Sequence, residues 1–79
     1  MPSYQTTAFK IGENEKTEMI ASHEFEAPST AVAKRIADDW SNTKAISSSG
    51  ATIFKLYAGK VLLSERTWES NVWLDVKRS

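Results

Sequence analysis

One segment of the sequence carries side chains suited to acid–base chemistry. Ser22, His23 and Glu24 are consecutive, and Glu26 follows two residues later. Alternation along a strand sends neighbouring side chains to opposite faces, so neither Ser22 nor Glu24 can reach the His23 ring. We therefore expect His23 to be a structural residue on the core face, with no catalytic residue and no metal site here.

Glu24 and Glu26 are the second chemical candidate, because on a strand they share a face at roughly 7 Å. That separation suits paired-carboxylate hydrolysis. The chemistry also needs a cleft and one carboxyl group of raised pKa, and a flat sheet in a short chain offers little of either. A small hydrolase using this pair is the second alternative, and solvated edge charges are the simpler interpretation.

A third group combines aromatic and basic side chains in the C-terminal part of the chain. The candidate binding face consists of Lys55, Tyr57, Arg66, Trp68, Trp73 and Lys77. Aromatic rings stack on bases and cations neutralise phosphates, so this face could bind single-stranded nucleic acid. Large apolar groups on an open sheet face are more often covered by protein, so self-association or another protein partner is the favoured hypothesis.

The elements that must position these groups begin with two strands and a helix. Alternation predicts strands over 4–11 and 19–27, separated by a polar stretch that opens with Gly12. The apolar spacing then becomes helical and predicts a helix over 29–44. Ser29 can cap its first turn through the hydroxyl.

After the helix, alternation predicts a three-strand meander. Its strands span 52–58, 61–69 and 72–77. The predicted fold class is α+β, in the order β-β-α-β-β-β: a mainly antiparallel five-stranded sheet with one helix packed on one face. A chain of 79 residues fits a single domain over 1–79.

Two tight turns, at 58–59 and 70–71, set the predicted register of the meander. The predicted cross-strand pairs are Leu56 with Val61, Phe54 with Leu63, Trp68 with Trp73 and Arg66 with Asp75. The predicted core face then holds Phe54, Leu56, Val61, Leu63, Val72, Leu74 and Val76. The candidate binding residues fall on the opposite face.

Composition excludes several chemistries, and together with the weak catalytic candidates above it leads us to expect a small non-enzymatic protein. Ten basic residues balance ten acidic ones, so the net charge gives no argument for nucleic acid or an anionic membrane. The sequence has no cysteine, which removes disulfides, thiolate nucleophiles and sulfur metal sites. We recognise no secretory signal, no membrane-spanning run and no cofactor motif, and expect a cytoplasmic homodimer without a cofactor.

Overall fold

The computed structural model describes residues 2–70 and 72–76 and confirms the predicted α+β architecture. The elements are β1 (Ser3–Ile11), β2 (Thr17–Glu26), α1 (Thr30–Ser41), α2 (Lys44–Ser47), β3 (Ile53–Ala58), β4 (Val61–Thr67) and β5 (Leu74–Asp75). All paired strands are antiparallel, in the order β2-β1-β3-β4-β5. Two predicted positions, Asn71 in the second turn and Lys77 in the binding face, lie outside the described residues.

The first hairpin and the start of the helix follow the sequence pattern. The turn between β1 and β2 contains Asn14 at φ +66°, a left-handed conformation that asparagine tolerates. Ser29 caps α1, because its Oγ accepts a hydrogen bond from the Val32 backbone N–H at 3.3 Å. The helix therefore begins at Thr30, next to the predicted start.

The end of α1 differs from the prediction, because the helix stops at Ser41 and α2 follows as a separate turn. The Ser41 hydroxyl donates to the Asp38 carbonyl at 2.7 Å, and the Thr43 hydroxyl donates to the Trp40 carbonyl at 2.7 Å. The Asp38 carbonyl also keeps its helical bond from the Asn42 N–H. The Trp40 carbonyl instead accepts from the Thr43 N–H and hydroxyl, where a continued helix would bond it to residue 44. The break then allows α2 to bury Ile46.

The core beneath α1 is built mainly from small side chains. Its two clusters of buried residues are Tyr4, Ala27, Ala33, Ala37 and Leu56, and Ala8, Ile46 and Phe54. Alanines on the buried stripe of α1 allow the helix to lie close to the sheet. In the described ranges, neither helix has the length and apolar character needed to cross a membrane.

The turn between β3 and β4 lies at 59–60, one position beyond the predicted 58–59. Gly59 has a φ of +62°, which glycine adopts without strain. Ala58 consequently pairs with Val61. The predicted pairs of Leu56 with Val61 and of Phe54 with Leu63 are both wrong.

A β-bulge next to this turn exchanges the faces of β4. Tyr57 pairs with Leu62, but Leu56 pairs with Ser64, so β4 contains one extra residue, Leu63. Such an insertion moves every later side chain to the other face. Arg66 therefore pairs with Phe54 on the helix-covered side, and its predicted place on the opposite face is wrong.

The last strand is also shifted from its predicted register. β5 pairs Asp75 with Ser64 and Leu74 with Glu65. The predicted pairs of Trp68 with Trp73 and of Arg66 with Asp75 are therefore wrong.

The bulge in β4 also exchanges the predicted core and surface positions of the C-terminal segment, because the two-residue shift of β5 by itself keeps each side chain on its face. Trp73 packs against both core clusters on the helix-covered side. Val72, Leu74 and Val76, predicted as core, are exposed instead. Phe54, Leu56 and Leu63 do lie in or against the core, as predicted.

Candidate functional site

The face of the sheet turned away from α1, here called the open face, presents large apolar side chains. Its apolar members are Phe9, Ile11, Met19, Ile53, Leu62, Val72 and Leu74. Met19, Phe9 and Ile53 form one cross-strand row over β2, β1 and β3. A bulge in β2 after Met19 places its side chain here, whereas regular alternation from His23 would place it on the core face.

Lys55 and Tyr57 are the candidate binding residues that lie on the open face. The Lys55 Nζ is 5.1 Å from the centre of the Phe9 ring and 3.9 Å from the Glu65 carboxylate. Tyr57 lies beside Leu62 on β4. The centre of this face therefore combines apolar groups with charges of both signs, and it is not a basic surface.

Arg66 lies on the helix-covered side, where it joins β4 to α1. The residue is 4% exposed. Its Nη2 donates to the Ser41 hydroxyl at 2.6 Å and its Nη1 to the Ser70 carbonyl at 2.9 Å. Its Nε lies 3.5 Å from Asp38 Oδ1, and the guanidinium carbon lies 4.7 Å from the centre of the Phe54 ring. Arg66 therefore holds the helix on the sheet through charge, hydrogen bonds and stacking.

Trp73 belongs to the same cluster. Its Nε1 donates to Asp38 Oδ1 at 3.2 Å, and its ring centre is 5.8 Å from the Arg66 guanidinium carbon. Two residues later, Asp75 forms a salt bridge with Lys34 of α1. Hydrogen bonding and charge from Lys34 lower the pKa of Asp75 below its ordinary value. The segment 72–76 is thus attached to α1 by polar contacts.

Trp68 lies at the mouth of a cleft on the helix-covered side and is 60% exposed. The structure therefore divides the candidate binding face between the two sides of the sheet. Lys55 and Tyr57 lie on the open face, whereas Arg66, Trp68 and Trp73 lie on the other side, so the prediction of one shared face is wrong. A binding role for any of them stays a prediction.

His23 and the acidic pair occupy separate sides of β2. His23 lies opposite Thr6 on the helix-covered side, as predicted, but it is exposed and not buried in the core, and its ring centre is 6.1 Å from that of Trp40. Glu24 and Glu26 are exposed and line a shallow groove of about 380 Å³. Among the described residues, no group of three histidine or acidic side chains is placed to hold a metal ion.

The sequence prediction missed the roles of Asp38 and Ser41, the partners of Arg66. In a helical pattern, Asp38 is an ordinary outer-face charge with Lys34 one turn before it. Its contact with Arg66 depends on the bulge at Leu63, for which the sequence contains no distinctive residue.

The chain matches no known protein family, no curated protein and no solved structure in the comparisons made with it. A function for it is therefore inferred from its own residues and their geometry.

Proposed function

We propose that the chain is a non-enzymatic interaction module that forms a homodimer through the open face. The observation that carries this proposal is the exposure of large apolar side chains on that face. Ile11, Met19, Val72 and Leu74 are 54%, 57%, 59% and 67% exposed. Several large apolar groups exposed to this degree on one sheet face are typical of a surface that another protein covers.

The size of the open face supports a stable pair. Strands lie about 4.8 Å apart and rise about 3.3 Å per residue. With five strands and a nine-residue β1, the face has a projected area on the order of 600 Å². Standard protein interfaces bury about 800 Å² on each partner. A second sheet packed on this face would therefore bury an area close to that of an ordinary dimer.

Charge favours a second copy of the chain as the partner. The net charge is zero, so two copies do not repel each other as a whole. At the centre of the open face Lys55 lies beside Glu65, so charges of both signs are present where a two-fold pair would meet. The assembly would consist of two sheets face to face, each with its helix outside, which is a common way to bury a sheet.

The alternatives from the sequence have less support. The nucleic-acid hypothesis needs Arg66 and Trp73 on the same face as Lys55 and Tyr57, but both lie on the helix-covered side. The hydrolase hypothesis needs walls around Glu24 and Glu26, and both side chains are exposed. The cytoplasm remains the proposed location, since a chain without cysteines cannot be stabilised by the disulfides that form in oxidising compartments.

The test is a comparison of two surface variants by sedimentation velocity over a range of protein concentrations. Met19→Ser with Leu74→Ser removes exposed apolar groups from the open face. Each side chain is worth about 2 kcal/mol when buried, and a two-fold pair contains each twice. We expect the dissociation constant of the dimer to rise at least about 100-fold. Trp68→Ser, a control of similar exposure on the other side, should leave it unchanged.

Two results would contradict the proposal. One is a wild-type protein that stays monomeric at the highest concentration tested. The other is a dimer that the Met19→Ser, Leu74→Ser variant leaves intact, since the copies would then meet through another surface, such as the long edge strand β2.

A further inference from the structure

A cleft of about 370 Å³ lies on the helix-covered side, away from the proposed dimer interface. It opens where α1 gives way to α2 and where β3 begins. Its walls include Ser41, Gly50, Thr52, Phe54, Arg66 and Trp68. The volume is at the lower end of the range for small-molecule sites, about 300–1,000 Å³.

The Arg66 guanidinium in this wall has unused hydrogen-bonding capacity. Of its five N–H groups, at most three have acceptors in residues 2–70 and 72–76. These acceptors are the carbonyls of Thr67 and Ser70 and the hydroxyl of Ser41. Within the same residues, the Nε has no hydrogen bond. Buried N–H groups without acceptors are costly, so a ligand that supplies acceptors gains free energy here.

The charge of Arg66 is also incompletely balanced. Its one carboxylate neighbour in the described ranges, Asp38, lies 3.5 Å from Nε and accepts a hydrogen bond from Trp73 through the same oxygen. The Asp38 side chain is 40% exposed, so water screens part of its charge. A largely buried cation with a screened partner attracts an anion that enters the cleft.

The other walls favour an aromatic ligand with polar atoms. Trp68 presents an exposed ring at the mouth, and aromatic rings stack on one another in offset or edge-on geometry. The Thr52 backbone N–H donates to the Phe9 carbonyl at 2.8 Å, and the Thr52 carbonyl accepts from the Trp68 backbone N–H at 3.0 Å. Its Oγ1 has no hydrogen-bond partner in the part of the chain that the structure describes.

We propose that this cleft binds a small aromatic carboxylic acid, with the carboxylate towards Arg66 and the ring against Trp68. A planar carboxylate offers two acceptor oxygens, which match adjacent N–H groups of a guanidinium. The site is separate from the open face, so this binding does not depend on dimer formation.

The experiment is a titration followed by amide and indole NMR shifts, with benzoate as the probe and benzamide as its neutral, near-isosteric counterpart. Ionic strength is matched with sodium chloride. We expect benzoate to bind in the millimolar range and to shift the signals of Gly50, Thr52 and Trp68. Benzamide should bind at least about 10-fold more weakly, since it lacks the charge.

Two variants locate the binding without disturbing the Arg66 cluster. Trp68→Ala should weaken benzoate binding about 5-fold or more, because its exposed ring is the stacking surface. Lys60→Met removes an exposed cation from the turn between β3 and β4, at the opposite end of the hairpin from Thr52 and Trp68, and should leave binding unchanged. Equal binding of benzoate and benzamide, an unaffected Trp68→Ala variant, or no shifts around the cleft would each overturn the proposal.

Discussion

The face of the sheet beneath α1 and the open face carry different kinds of side chain. Beneath the helix, the largest fully buried side chains are Leu56, Thr6 and Ser64, and Arg66 lies among them. On the open face, Met19 and Leu74 are more than half exposed. The covered face thus contains polar groups that ordinarily face water, while the uncovered face contains apolar groups that ordinarily do not.

This difference separates the contacts that attach α1 to the sheet from the apolar surface that is free for association. Small core residues bury little apolar area for each side chain, so α1 depends on the hydrogen bonds and charge contacts of Arg66 and Trp73 for its attachment. Much of the apolar surface of the open face remains available for association. The covered face therefore stabilises the fold, and the open face is suited to binding a partner.

The largest expected effect comes from removing the cation of the covered face. Arg66→Met should lower the free energy of unfolding by about 3 kcal/mol, because it leaves Ser41 and Asp38 without their partner. The control Lys10→Met removes an exposed ion pair with Glu18 and should cost at most about 0.5 kcal/mol. Urea unfolding of both variants at one protein concentration measures the difference. A loss below about 1 kcal/mol for Arg66→Met would contradict this role.

The close approach of α1 to the sheet gives the next effect. Ala37→Leu adds volume to a fully buried position and should destabilise the protein by about 1–3 kcal/mol. Ala31→Leu, at an exposed position of the same helix, should change stability by less than about 0.5 kcal/mol, since alanine and leucine have similar helix propensity. Thermal unfolding followed by circular dichroism compares them. Equal effects would show that the helix does not pack closely on the sheet.

The tryptophan contact with α1 should contribute less. Trp73→Phe keeps an aromatic ring but loses the hydrogen bond to Asp38, so we expect a cost of about 1 kcal/mol. Trp68→Phe, at the exposed tryptophan, should be nearly neutral in unfolding by urea. A smaller cost for Trp73→Phe than for Trp68→Phe would show that the hydrogen bond from Trp73 to Asp38 does not hold the C-terminal segment on α1.

The smallest effect concerns pH. Lys34 lowers the folded-state pKa of Asp75 below the ordinary 3.8, so the ion pair stabilises the fold at neutral pH and is lost as pH falls through the folded-state value. The difference in melting temperature between wild type and Asp75→Asn should therefore be present at pH 7 and shrink below about pH 4. A difference that stays constant down to the acid limit of folding would contradict the assignment.

The order of elements could be predicted from the sequence because it depends on local periodicity. Alternation through β1 and β2 and the helical spacing after Ser29 are visible in single segments. The end of α1 at Ser41 was missed, because apolar spacing does not report the hydroxyl groups that cap its last carbonyls.

The faces of the C-terminal strands could not be predicted, because they depend on one inserted residue. The bulge at Leu63 reverses every later position of β4, and the apolar run Val61, Leu62 and Leu63 contains no glycine or proline to mark it. That single change moved Arg66 from the predicted binding face to the core. An uncovered sheet face was predicted, but three of its five described candidate residues, Arg66, Trp68 and Trp73, lie on the covered side.

The central claim, that a second copy covers the open face, is tested most directly by isotope-filtered NOE spectroscopy on an equimolar mixture of labelled and unlabelled chains. The account predicts intermolecular contacts to side chains of the open face, among them Met19, Ile53 and Leu74, and none to Ala33 or Ile46 beneath the helix. Intermolecular contacts confined to the helix side, or none at a concentration well above the dissociation constant expected of a specific dimer, would contradict it.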